Sequence, residues 1–219
     1  LILQKKQSTA ADKKRKLYTF LYPDSGMTDQ FHTMRTNIKF LTENKSVKTV
    51  LFTSSAKKDG KTTAAVNLAS LLAQQKEKVL LIDANLRNPV IHHYFQLENN
   101  EGLTAVLKGK KHLNEVLIKN DLNKLDVLTG GQGEYNPAEL LSGEQMKQLL
   151  QKVSQDYDAV IIDGPNMIDY TETRVLAHIS DGVIIVVRRG KTLIDRGIEL
   201  KRILELAHAN IIGAIINNR

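Results

Sequence analysis

The chain has 219 residues, 42% hydrophobic and 25% charged, which suits one globular α/β domain with a sizeable core. It has no cysteine, which excludes a disulfide scaffold and a thiolate-bound metal. No apolar run approaches the roughly 20 residues that span a bilayer. The formal charge is +7, much of it local, in Lys5-Lys6 and Lys13-Lys14-Arg15-Lys16. That cluster reads either as a solvated tail or as an arm for an anionic membrane or an acidic partner.

Residues 1–25 are polar and basic and end in Pro23-Asp24-Ser25-Gly26, the pattern of a mobile extension. Residues 26–219 form the domain. Thr28 is placed to cap a helix over 29–42, with Phe31, Met34, Ile38 and Leu41 as its apolar stripe. Short apolar runs then predict strands at 48–53, 79–82, 125–128, 159–162, 183–187 and 211–216. Most are apolar on both faces, as strands between two helix layers are. Helical patterns lie between them at 62–75, at 137–156 with a break near Ser142-Gly143, at 172–179 and at 193–208. The alternation predicts a doubly wound, mostly parallel sheet with right-handed crossovers.

Between the first strand and the next helix stands Ser55-Ala56-Lys57-Lys58-Asp59-Gly60-Lys61-Thr62-Thr63. This is a phosphate loop with its first glycine replaced by Ser55. Gly60 lets the backbone approach a phosphate, Lys61 reaches the β- and γ-phosphates, and the Thr62 hydroxyl ligates Mg²⁺. The following helix presents its N-terminal N–H groups to the anion. Lys57, Lys58, Asp59 and Thr63 complete the nucleotide-binding stretch. Two strands end in aspartate, Val79-Leu80-Leu81-Ile82-Asp83 and Val160-Ile161-Ile162-Asp163. Ligands of such sheets bind beyond the carboxyl ends of the strands. Phosphoryl transfer needs carboxylates there to hold Mg²⁺ and to take a proton. Alone, each aspartate reads equally well as a helix cap.

Asp83-Ala84-Asn85-Leu86-Arg87-Asn88-Pro89, Gly102-Leu103-Thr104 and Asn136-Pro137-Ala138-Glu139-Leu140-Leu141 together resemble the bacterial tyrosine kinases, the P-loop kinases of capsule and exopolysaccharide operons. The resemblance covers roughly 28–219 and implies tyrosine autophosphorylation with ATP and Mg²⁺. It makes Lys61 the phosphate-binding lysine and gives the metal to Thr62, Asp83 and Asp163. Asp83 is then the candidate base, Arg87 a support for the site, and Asn217 an adenine contact or a strand-end cap. It also implies a membrane polysaccharide co-polymerase as partner, whose cytoplasmic end activates the kinase, and a cytoplasmic location at the inner face of the membrane. Subunits would join through the 29–42 helix by Asp29, His32 and Arg35. No nucleic-acid partner is expected.

The chain departs from the family pattern at several points. Asn85 stands where a second aspartate is usual. Lys57-Lys58-Asp59 replaces Pro-Gly-Glu, which removes a glycine and adds positive charge. The six tyrosines, at 18, 22, 94, 135, 157 and 170, are scattered, and the family's tyrosine-rich tail is either cut from this sequence or absent from the protein. Two other functions therefore stay open. One is a nucleotide-binding scaffold with weakened catalysis. The other is an ATPase switch of the cell-division or partition type, although Ala56 stands where such switches carry an extra lysine.

Overall fold

The computed structural model describes residues 17–42, 47–119, 124–134 and 136–218. Seven strands form one sheet: β1 (Thr49–Ser54), β2 (Val79–Asp83), β3 (Ile118–Lys119), β4 (Leu125–Leu128), β5 (Ala159–Asp163), β6 (Gly182–Arg188) and β7 (Ile211–Asn217). Their order is β3-β4-β2-β5-β1-β6-β7. All neighbours are parallel except the short edge strand β3, which runs antiparallel to β4. The six predicted strands are all present, with ends within a residue or so of those expected. β3 went unpredicted because two residues carry no periodicity.

Alternation along the central strands divides the core in two. Leu51, Leu80, Ile82, Val160 and Ile162 face one layer. There they meet α5 (Leu103–Leu107), α6 (Leu113–Val116), α7 (Pro137–Ser142), α8 (Glu144–Asp156), α9 (Glu172–Ile179) and α10 (Ile194–Leu206). Val50, Phe52, Leu81 and Ile161 face the other, against α2 (Gly26–Thr42), α3 (Lys61–Gln74) and α4 (Ile91–Phe95). Strands covered on both faces need apolar residues at every position, which is why their runs are continuous. The expected break near Ser142-Gly143 separates α7 from α8, Gly143 being extended between them.

The N-terminal expectations need two corrections. Leu17–Ser25 are ordered rather than extended away: α1 (Tyr18–Leu21) packs on α3, and the buried Thr19 N–H donates to Asn67 Oδ1 at 3.1 Å. Residues 1–16, with both basic clusters, lie outside the described residues, as does Tyr135. The second helix starts at Gly26, so Thr28 is not its cap. Ser25 takes that role, its hydroxyl accepting the Thr28 N–H at 3.3 Å, while the buried Thr28 hydroxyl donates to the Tyr22 carbonyl at 2.7 Å. Met34 and Ile38 pack into the α2–α3 layer as predicted, Phe31 is buried, and the side chain of Leu41 lies outside the described set. Among the described residues no helix is long and apolar enough to cross a membrane.

Candidate active site

Sheet register brings the two strand-end carboxylates together. β2 and β5 are adjacent, and Asp83 is paired with Asp163 across them, a spacing of ~4.8 Å between strands. β1 lies on the other side of β5, with Phe52 opposite Asp163. The loop that follows β1 therefore opens over the same strand ends. It turns into α3 at Gly60, whose φ of 101° is a left-handed conformation that suits glycine. A Cβ at this position would lie 2.3 Å from the Asn217 amide nitrogen. That nitrogen donates to the Asp59 carbonyl at 2.9 Å, so the end of β7 buttresses the loop.

Lys61, Thr62 and Asp163 form one constellation. The Thr62 hydroxyl donates to Asp163 Oδ2 at 2.6 Å, and Lys61 Nζ lies 3.6 Å from Asp163 Oδ1. Asp163 is fully buried, and its Oδ1 has no hydrogen-bond partner. Burial pushes its carboxyl above the usual range, opposed by Lys61 and Thr62. A buried, under-satisfied carboxylate oxygen beside a threonine hydroxyl is a hard-oxygen donor set, which fits Mg²⁺. Among the described residues no group of three or more His, Cys, Asp or Glu side chains gathers as a metal site. A divalent ion here would have to complete its shell with phosphate and water oxygens.

Asp83 is also fully buried. Its Oδ2 accepts the N–H groups of Val90 and Ile91 at 2.8 and 2.9 Å, and its Oδ1 accepts that of Asn85 at 3.2 Å. Burial, and next the charge of Asp163, raise its pKa to about 7. The carboxylate thus closes the 84–90 loop over itself. That loop must shift before a phenol can reach Asp83.

The other predicted residues divide into those that face the site and those that hold it. Asp59 turns inward: its Oδ2 accepts the Ala56 N–H at 3.1 Å and the Ser55 hydroxyl at 3.4 Å, and burial raises its carboxyl pKa. Thr63 shares a 2.9 Å hydrogen bond with the Tyr94 hydroxyl. Lys58 has φ 67°, a left-handed conformation that favours glycine. That conformation costs a side-chain-bearing residue ~1 kcal/mol or more. Lys58→Gly should stabilise the metal-free protein by about 0.5 kcal/mol after the glycine's own entropy cost. Urea denaturation would measure this. Lys57 Nζ lies 5.5 Å from the centroid of the Tyr170 ring.

Arg87 donates from Nε to Glu172 Oε1 at 2.7 Å, and its guanidinium lies 4.9 Å from the same Tyr170 ring. Glu172 is only 1% exposed and its Oε2 has no hydrogen-bond partner. The pair lifts the Arg87 pKa, with the Glu172 hydrogen bond as the main cause. Arg87→Ala would strand that buried carboxylate. Solvent reaches Arg87, so the full buried-pair cost is discounted to about 1–3 kcal/mol. At this chain length that lowers Tm by roughly 3–9 °C. Glu172→Gln in the same protein should restore most of the loss in a thermal melt.

Asp29, His32 and Arg35 lie along α2 and join none of these contacts. Asp29 is exposed, His32 is half-buried, and Arg35 Nη1 reaches Gln75 Oε1 at the end of α3 at 3.4 Å. Two cavities, of about 420 and 180 Å³, open near Thr49 and Val47 at the start of β1, and neither borders the phosphate loop.

Sequence reading missed Glu172, Tyr94 and Tyr170. Glu172 reads as an ordinary acid in the first turn of a helix. Tyr94 and Tyr170 have no motif spacing, and only the fold brings them to the loop.

A family model described as an AAA domain matches residues 47–208. Among curated proteins, a tyrosine-protein kinase of Bacillus subtilis, YwqD, is 39% identical over 206 residues, 94% of this chain and 87% of that protein. Among solved structures, the kinase domain of the Escherichia coli tyrosine kinase Etk superposes with a TM-score of 0.89 at 30% identity, covering 100% of this chain and 84% of that one. The chimerical protein CapA2B2 superposes with a TM-score of 0.88 at 31% identity, covering 93% and 89%. Likeness at this level and coverage, on a site with the phosphate loop, the paired aspartates and Arg87 in place, shows that the chain belongs to the bacterial tyrosine kinase family.

Proposed function

We propose that this protein is a protein-tyrosine kinase that uses Mg·ATP to phosphorylate itself. In this reading it serves capsule or exopolysaccharide synthesis with the cytoplasmic end of a membrane polysaccharide co-polymerase. The observation that carries the reading is the Lys61–Asp163–Thr62 constellation beside Asp83 at the carboxyl end of the sheet. Lys61 would leave Asp163 for the β/γ-phosphates. Thr62, Asp163 and Asp83 would hold the metal, which neutralises charge between phosphate oxygens when bound. Backbone N–H groups around Lys57, Lys58, Asp59 and Gly60 would cradle the phosphates, with Thr63 at the first turn of α3 and Asn217 toward the base. Asp83 would take the phenolic proton, and Arg87 would steady the incoming segment.

The membrane partner and the joining of copies through Asp29, His32 and Arg35 belong to the same proposal. It places the protein in the cytoplasm, drawn to the inner face of the membrane by the partner. The relatives' names support the activity, and the chimerical make-up of CapA2B2 supports a partner segment that acts on this fold. The test is phosphotyrosine formation by the full chain with and without the partner's cytoplasmic peptide. The reading expects the peptide to raise the rate about tenfold or more. Phosphate release without phosphotyrosine would favour the ATPase switch instead.

Asn85→Asp would add a carboxylate next to Asp83, whose Oδ1 already accepts the Asn85 N–H. The added charge should tighten Mg²⁺ binding by about tenfold and lower the stability of the metal-free protein through repulsion. Calorimetric titration and a melt in EDTA would measure the two effects.

A further inference from the structure

Tyr170 sits in the segment that leaves β5 immediately beyond Asp163. That segment is tightly held. The Met167 N–H donates to the Ser54 carbonyl at 2.9 Å, and the Thr53 hydroxyl to the Pro165 carbonyl at 2.9 Å. Asn166 Nδ2 donates to Asp169 Oδ2 at 2.9 Å, and the Thr173 hydroxyl to the Asn166 carbonyl at 3.2 Å. Its far end is fixed by Glu172, buried at the start of α9 and paired with Arg87. The half-buried Tyr170 is therefore presented from a fixed frame, not from a loop tip.

Its ring meets two cations from two different loops. Lys57 comes from the phosphate loop, with Nζ 5.5 Å from the ring centroid, and Arg87 from the loop after Asp83, at 4.9 Å. Tyr170 in turn raises the pKa of Lys57. Two cation–π contacts alone would make only a weak staple. The phenol, however, lies where the loop that carries Lys61 and the loop after Asp83 both reach it. A cation beside it favours the negative charge that grows there as a bond to phosphorus forms. The same cations suit a phosphate ester afterwards. The two nearby acids are already engaged, Asp169 by Asn166 and Glu172 by Arg87.

We propose that Tyr170 is a phosphate acceptor of its own chain, with Lys57 and Arg87 as the cations that receive the phosphate. This rests on the kinase reading above. In the step, the bond from Tyr170 Oη to the γ-phosphorus forms and the bond from that phosphorus to the β–γ bridging oxygen breaks. ADP leaves with the electron pair, and the phenolic proton passes to Asp83 once the 84–90 loop has shifted off it.

The experiment is phosphopeptide mapping by mass spectrometry on the full chain after incubation with Mg·ATP, beside Lys61→Met, Tyr170→Phe and Lys57→Met. Phosphate on Tyr170 in the unaltered protein, none in Lys61→Met, and an initial rate per molecule that is constant on dilution are expected. Lys57→Met should lower occupancy at Tyr170 about tenfold. Tyr170→Phe keeps the ring, so its melting temperature checks the fold while the phosphopeptide disappears. Phosphotyrosine elsewhere with Tyr170 unmodified would overturn the inference and leave the kinase reading standing. A rate per molecule that rises with concentration would overturn transfer within the chain. No phosphotyrosine anywhere, with Mg·ATP bound, would overturn both.

Discussion

Lys61→Met is expected to lower phosphate transfer by about a hundredfold or more, roughly 3 kcal/mol of transition-state stabilisation, while the fold survives. Lys61 is mostly buried, and its ammonium is the cation nearest Asp163, at 3.6 Å. Removing it has two consequences. The charge that would meet the β- and γ-phosphates is gone. Asp163, already raised by burial, loses the influence that most opposes that rise, so its carboxyl moves higher still. Methionine fills similar space, so circular dichroism should be unchanged. Radiolabel transfer from γ-labelled ATP, beside a circular dichroism spectrum, checks both halves. A variant that keeps more than a tenth of the activity would place the phosphate-binding charge elsewhere, with Lys57 or Lys58 as the next candidates.

Asp83→Asn should lower activity and shift stability by an amount that depends on pH. Loss of the proton acceptor lowers turnover by about a hundredfold or more. Stability follows from linkage. The folded Asp83 has a pKa of about 7 against an ordinary 3.8, so between these values the folded protein binds the extra proton. Its favourable contribution is complete below about pH 4 and is lost as pH rises through about 7. Asparagine does not titrate. Its carbonyl can still accept the Val90 and Ile91 N–H groups, but its NH₂ then faces the Asn85 N–H, a constant cost of about 1 kcal/mol. Measured in EDTA, the stability of Asp83→Asn relative to the unaltered protein should therefore improve by a few kcal/mol from pH 5 to pH 8. Chemical denaturation at several pH values measures the difference. A pH-independent difference would mean that Asp83 is charged throughout that range in the folded protein.

The legible parts of this protein were those written in local periodicity. Continuous apolar runs such as Val79–Ile82 announced strands buried on both faces, and strand ends put Asp83 and Asp163 at the ligand side of the sheet. The register that pairs them could not be read, because strand order is decided by crossovers and not by either segment alone. Gly60 and Lys61 were legible because a phosphate loop demands those residue types at that spacing. Lys58 shows the limit of that reading: lysine there suggested a restricted loop, yet the chain adopts the left-handed turn anyway. Asp59 was read as a nucleotide contact, but its side chain turns inward onto Ser55 and Ala56. The Arg87–Glu172 pair joins residues 85 positions apart. The Tyr170 cluster joins three segments whose meeting depends on the fold. At the N-terminus, polarity suggested an extension over residues that include Thr19, which is held by hydrogen bonds to Asn67 and Gln74 that no hydrophobic pattern records.

Delivery of phosphate to tyrosine by the Lys61–Asp163–Thr62 constellation is the central claim. Phosphoamino-acid analysis of the purified full chain after incubation with γ-labelled ATP and Mg²⁺, beside Lys61→Met, tests it most directly. Alkali-stable phosphotyrosine that is absent from the variant is the predicted result. Label released only as inorganic phosphate, or phosphotyrosine that persists in Lys61→Met, would contradict it.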